Sequence, residues 1–222
     1  MHVIFDVDGT LVDSNDQHAM AWVDSLAEAG YDVPFERVRA LIGKGGDKVL
    51  PELTGESDDS PHGRQLSARR SAIFREKYLP RVTGLPGARA LVERLRSDGH
   101  QVGIATSAKE EELDALLRIA HVEDLFDHRA SSDDAERSKP DPDIIQAALQ
   151  RMGAQPPDAV MIGDTPYDIA AASRAGVRAI AFRSGGWGDA DLSDAAAIYD
   201  GPEHLWKEYG TSILAARPAV RE

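Results

Sequence analysis

The amino-acid sequence predicts an α/β protein, a doubly wound parallel sheet with an inserted all-helical block. Three observations carry that expectation. Short apolar runs alternate with longer amphipathic ones along most of the chain. Glycine stands just past the last periodic residue of several helical patterns, where a left-handed residue ends a helix. One long segment near the start holds helical patterns and no convincing strand. Strand and helix in strict alternation are the pattern of right-handed parallel crossovers.

Taken in order, residues 2–7 form a β-branched, apolar run that reads as a buried strand, and 101–105, 159–163 and 178–182 read the same way. Helical patterns lie between them at 86–98, closed by Gly99, at 110–119, at 142–152, closed by Gly153, and at 168–175, closed by Gly176. The exceptional segment runs from about residue 14 to 81. Its helical stretches are 17–29, closed by Gly30, then 35–42, 47–53 and 63–78, joined by loops carrying Gly43, Gly45 and Gly46 and an acidic, turn-rich run at 55–61. An all-helical block after the first strand looks like a cap, which divides the chain into a core of 1–13 with 82–222 and a cap of 14–81. Extra helices packed on the sheet are the alternative. No internal repeat or low-complexity tract stands out, and residues 215–222 are expected to fray.

The 222 residues suffice for one generous domain or a core with a smaller insert. With 42% hydrophobic residues there is enough apolar material to offset chain-ordering entropy, which argues against disorder. No stretch approaches the roughly 20 apolar residues of a membrane span, and the first residues do not resemble a signal peptide. Absence of cysteine excludes disulfides, a thiolate nucleophile and cysteine-ligated metal. The cytoplasm is the expected compartment. A net charge of −13 repels nucleic acid and acidic membrane surfaces, and would repel a phosphorylated metabolite unless a local cation held it.

Ligands of an open parallel sheet bind beyond the carboxyl ends of its strands. There the expected strands lead into Asp6-Val7-Asp8-Gly9-Thr10, Thr106-Ser107 and Asp164. Asp6 and Asp8 are two apart, so on an extended backbone both point to one side. Two neighbouring carboxylates beside a third concentrate negative charge, and a hard divalent cation with oxygen ligands, Mg²⁺, is the simplest compensation. The plainer alternative makes Asp6 and Asp8 a turn and Asp164 a helix N-cap. Lys139, in the loop Ser138-Lys139-Pro140-Asp141-Pro142, is a compact charge suited to a phosphoryl oxygen, though a lysine before proline is usually a solvated one.

Asp6-Val7-Asp8-Gly9-Thr10-Leu11-Val12-Asp13-Ser14 resembles the first motif of the haloacid dehalogenase superfamily of phosphohydrolases. Ile104-Ala105-Thr106-Ser107 resembles its second motif, Ser138-Lys139-Pro140 its third, and Ile162-Gly163-Asp164-Thr165-Pro166-Tyr167-Asp168 its fourth. The motifs keep the superfamily's order, and the helical insert sits where its alpha-helical cap belongs, over that superfamily's Rossmann-like core. The resemblance implies that Asp6 is the nucleophile, forming an aspartyl phosphate, and that Asp8 is the acid and then the base. It implies Mg²⁺ held by the Asp6 carboxylate, the Asp8 carbonyl and Asp164, with Asp168 supporting the metal from behind. Thr106 and the Ser107 N–H would bind phosphoryl oxygens, Lys139 would anchor phosphate and nucleophile, and Thr10 would stiffen the first loop.

In the cap, the loop Gly43-Lys44-Gly45-Gly46-Asp47-Lys48 resembles the one that reaches the leaving group. Lys44 either contacts a polar substrate or is a solvated loop lysine. His18 and Trp22 lie one helical turn apart. Trp22 reads as cap core, and His18 as a helix-surface residue that could instead face the cleft.

The function expected is a Mg²⁺-dependent phosphatase for a small phosphorylated metabolite, with a sugar phosphomutase of the beta-phosphoglucomutase type as the alternative. Against the mutase, Thr10 stands where it has an apolar residue, and the loop at 43–46 lacks its arginine. Dehalogenases need neither the second aspartate nor a metal, and phosphoacceptor receiver modules lack a large helical insert. Phosphoglycolate, hexose phosphates and nucleoside monophosphates all stay open as substrates, small sugar phosphates slightly ahead, and monomer or homodimer is not decided.

Overall fold

The computed structural model describes residues 1–215; the tail expected to fray lies, beyond Ala215, outside the described residues. Its centre is a six-stranded parallel sheet of β1 (His2–Phe5), β4 (Gln101–Ala105), β5 (His128–Ala130), β6 (Ala159–Gly163), β7 (Arg178–Phe182) and β8 (Ala197–Tyr199). The spatial order is β5-β4-β1-β6-β7-β8. The chain moves outward from β1 to β4 and β5, then returns to the other side of β1, so β1 lies at the topological switch point. Its register is tight on both sides, with Phe5 opposite Ile104 and Ile162.

Successive side chains of β1 feed opposite faces of the sheet. Val3 and Phe5 join one apolar cluster with Leu91, Leu95, Leu113 and Phe182, whereas Ile4 joins another with Met161, Ile145 and Leu149. The first face is covered by α5 (Ala88–Ser97) and α6 (Glu110–Ile119), the second by α7 (Asp143–Met152) and α8 (Pro166–Arg174). β1 ends at Phe5, two residues before the apolar run does. The Val7 carbonyl accepts from the amides of Thr10, Leu11 and Val12, which turns the chain out of the sheet immediately after Asp6. The three-residue strands β5 and β8, and α9 (Pro202–Lys207), escaped the sequence reading because they are too short to show periodicity.

Between β2 (Val12–Asp13) and β3 (Thr83–Gly84), which pair antiparallel, lie α1 (Asn15–Glu28), α2 (Phe35–Arg39), α3 (Gly46–Thr54) and α4 (Pro61–Ile73). No strand interrupts this stretch. Trp22, Leu26, Val38, Leu50, Leu53 and Leu66 form a separate apolar cluster among these helices, so Trp22 packs as expected. The expected helix over 63–78 is α4 followed by a π-helical turn, Phe74–Tyr78. That turn sends Phe74 and Tyr78 into the cluster under the sheet, tying the block to the rest of the chain. No helix among the described residues is long and apolar enough to cross a membrane.

Candidate active site

The switch point sets the site. Asp6 follows β1, Thr106 follows β4 and Asp164 follows β6, so neighbouring strands deliver all three to one edge. Asp6 and Thr106 border a cavity of about 550 Å³, part of whose wall comes from the helical stretch of 15–73, with Asp8, His18, Lys44 and Ser107 also among its lining residues.

Lys139 is buried beneath this edge, its Nζ 2.6 Å from Asp6 Oδ1 and 2.7 Å from Asp168 Oδ1. The solvated-lysine alternative is thereby excluded. Although burial opposes its charge, Asp168 and Asp6 hold its pKa above the ordinary lysine value. Asp168 also accepts from the N–H and hydroxyl of Thr165 through Oδ2, in a capping box that starts α8. Thr165, not Asp164, is therefore the N-cap, which leaves the Asp164 carboxylate free for the site. It takes a hydrogen bond from Asn15 Nδ2 at 2.7 Å and a longer one from Thr10 Oγ1 at 3.3 Å. A Cβ on Gly9, whose φ is +69°, or on Gly185 would come within 2.1 Å of its Oδ2, so bare backbone packs around this carboxylate.

Carboxylate oxygens of Asp6, Asp164 and Asp168 all lie within 4.8 Å of one another. Asp8 is not in this trio, a correction to the expectation that its carboxylate stands beside Asp6 and Asp164. The turn after Asp6 breaks the extended geometry that would align the two, and Asp8 Oδ1 faces Ser14 Oγ and His18 Nε2, the latter at 2.7 Å. Burial disfavours the Asp8 charge, yet His18, the Ser14 hydroxyl and Arg70 hold its carboxyl below the ordinary value. Asp6 behaves oppositely. Burial, with Asp168 and Asp8 nearby, raises its pKa to about 8 despite Lys139. Asp164 is likewise raised well above the ordinary value by burial and then by Asp168 and Asp6.

Three buried carboxylates share one ammonium, and two surplus negative charges are what one divalent cation carries. An all-oxygen donor set suits a hard ion such as Mg²⁺. The residues present thus fit a divalent metal, with Asp6 and Asp164 the freer carboxylates and Asp168 already engaged through both oxygens.

His18 corrects the sequence reading. It is 4% exposed, not a helix-surface residue. Its ring stacks on Phe74 with centroids 3.9 Å apart, and its Nδ1 meets an Arg70 guanidinium nitrogen. Arginine only donates, so Nδ1 accepts and Nε2–H donates to Asp8. Arg70 itself, 52 residues away on α4, gave no sequence signal, since it sits in a run of polar residues. Asn15 was equally invisible, whereas Ser14 belonged to the first motif. Lys44 lines the cavity, but its Nζ lies 2.5 Å from Glu52 and 4.9 Å from the Tyr167 ring centroid, so it is not a solvated lysine. Buried Thr106 accepts the Ala108 N–H at 3.1 Å, and Ser107 Oγ approaches the Gly43 carbonyl at 3.4 Å.

The family model described as haloacid dehalogenase-like hydrolase matches residues 3–182. The chain belongs to that family. This hydrolase is 33% identical over 180 residues to the phosphoglycolate phosphatase of Nitrosospira multiformis, covering 78% of this chain and 79% of that one. A hydrolase from Pseudomonas syringae superposes with a TM-score of 0.89 at 28% identity, over 97% of this chain and 100% of that one. Beta-phosphoglucomutase from Clostridium difficile shares the fold, with a TM-score of 0.80 at 20% identity over 95% and 99% of the two chains. The hydrolase's matched span contains every site residue named above except Gly185.

Proposed function

We propose that this hydrolase is a Mg²⁺-dependent phosphatase acting on a small phosphomonoester through an aspartyl-phosphate intermediate. The observation that carries the reading is the pairing of two aspartates in opposite electrostatic settings at one cavity. Asp6 is gripped by Lys139 among surplus carboxylates, and Asp8 is held by His18 and Ser14. Two carboxyl groups with such different partners can take different roles at one cavity.

Asp6, with Asp164 and the Asp8 backbone, would hold the metal, and Asp168 would support it through Lys139 and Thr165. The bound cation supplies positive charge to the phosphoryl oxygens and lets Asp6 ionise. An Asp6 oxygen attacks phosphorus as the bond to the leaving oxygen breaks. Asp8, carrying the proton it takes from water in the preceding turnover, gives that oxygen its proton. In the second half, Asp8 takes a proton from water, whose oxygen attacks phosphorus, and the Asp6–phosphorus bond breaks to release phosphate. His18 fixes the rotamer of Asp8 throughout, Lys139 fixes Asp6, and Thr106 and Ser107 flank the phosphoryl position. The helical block over 14–81 would act as a cap that excludes water from the acyl phosphate, with the core formed by 1–13 and 82–222. Small metabolites suit a cavity of this size, and the cytoplasm is where this reading places the enzyme.

The test is phosphate release from a panel of small phosphomonoesters with and without Mg²⁺, with Asp6→Asn as the blank. Release should require Mg²⁺ and fall at least about a thousandfold in the variant. Near-normal turnover by Asp6→Asn would overturn the covalent mechanism, and isomerisation of beta-glucose 1-phosphate without release would favour a mutase.

A further inference from the structure

A second feature of the cavity concerns the part of the substrate that leaves. Of the cations lining it beyond the phosphate, the two less exposed ones already face carboxylates. Lys44 is paired with Glu52 at 2.5 Å and covers the Tyr167 ring. Arg70 donates to His18, lies 3.4 Å from Glu112 and covers the rings of Trp22 and Phe74. The remaining two, Arg64 and Lys109, are exposed, and Arg64 donates to the Asp59 carbonyl.

Acids on the same walls are not so engaged. Asp47 accepts only a backbone N–H, from Ser138 at 3.2 Å, and neither Asp58 nor Asp59 has an ion-pair partner among the described residues. Burial, then Asp59 and Asp47, raises the Asp58 carboxyl above its ordinary value, as expected of like charges crowded without a cation. Two further polar atoms of the lining residues, Ser67 Oγ and Arg70 Nε, are buried with no hydrogen-bond partner. Such atoms are suited to hydroxyl groups, and surplus carboxylates to hydroxyls or a protonated amine. A carboxylate or second phosphate would be partly desolvated here opposite like charge, where the two less exposed cations, Lys44 and Arg70, already face Glu52 and Glu112.

Building on the phosphatase reading above, we propose that the substrate's leaving group carries no second negative charge, so that this cavity takes phosphomonoesters of neutral polyols or amino alcohols and discriminates against acidic ones. The decisive comparison is kcat/KM of the full-length, Mg²⁺-loaded enzyme for glycerol 3-phosphate and phosphoethanolamine against phosphoglycolate, with p-nitrophenyl phosphate as a reference ester. The uncharged and amine-bearing substrates should lead by about tenfold or more, mostly through KM, since the clash is present in the ground state. Raising ionic strength from about 0.05 to about 0.5 M should narrow the ratio, because it screens the acidic wall. The double variant Asp58→Asn, Asp59→Asn should narrow it by about three- to tenfold at low salt. Equal or better use of phosphoglycolate overturns the inference, as does a ratio that moves with neither salt nor the variant. Failure to hydrolyse any ester, the reference included, above the Asp6→Asn level would instead sink the phosphatase reading itself.

Discussion

Asp6 and Asp8 are two residues apart and have opposite acid–base characters, because one turn separates their surroundings. Asp6 stays at the sheet edge among carboxylates, where burial and like charge raise it. Asp8 is carried round to the start of α1, where His18 and Ser14 donate to it and lower it. A substitution at Asp8 should therefore hurt proton transfer and spare the metal cluster, from which its carboxylate is absent. Asp8→Asn should slow hydrolysis of alkyl phosphates by about 10²- to 10⁴-fold. The loss should be much smaller with p-nitrophenyl phosphate, whose leaving group needs no proton. Divalent-ion affinity, measured by calorimetry, should stay close to that of the parent protein. A collapse of metal affinity would show that the residue's side chain ligates the ion.

At the level of elements, the site depends on how α8 begins. Thr165 caps the helix with its side chain, and Asp168 reciprocates, so the same carboxylate that closes the cap also receives Lys139. Local helix chemistry and site electrostatics are thus joined in one residue. Thr165→Ala removes the hydroxyl from Asp168 and the cap from Asp168 N–H. It should cost about 1 kcal/mol of stability, readable in urea denaturation. Catalysis should fall as well, because Asp168 then has less to hold it against Lys139. Unchanged stability together with unchanged kcat would show that the cap is not coupled to the site. A similar economy holds at the π-helical turn after α4, which aims Phe74 under the sheet and beneath the His18 ring at the same time.

The whole molecule carries thirteen more acidic than basic charges and buries three carboxylates at its centre. Without metal this arrangement has an unusual pH dependence. An unfolded aspartate titrates near pH 4. Asp6 in the fold titrates at about 8, and Asp164 is also raised. Between those pH values the folded state binds more protons than the unfolded one, so its stability falls as pH rises. Metal-free protein should therefore melt at lower temperature at pH 8 than at pH 6. Mg²⁺ should stabilise most at the higher pH and release protons as it binds, which appears as a buffer-dependent heat in calorimetry. A melting temperature of the metal-free protein that rises steadily from pH 6 to 8 would contradict this account.

The sequence by itself determined the alternation of strand and helix, the helical insertion and the three polar stations at strand ends. Each is a local pattern, visible as periodicity, a stopping glycine or a motif. It also placed Asp6, Thr106 and Asp164 at one edge, because in an open parallel sheet the carboxyl ends of neighbouring strands must converge, whereas Lys139 joined them only through the family resemblance. Only the tertiary structure decided which carboxylates meet. Asp168 replaces Asp8 in the cluster because a turn held by one carbonyl, that of Val7, rotates Asp8 away, and no periodicity records such a turn. His18 became a buried partner of Asp8 because Phe74 and Arg70, more than fifty residues on, close over its helix face. A helix-surface pattern states which face is polar, and packing alone states what that face will meet.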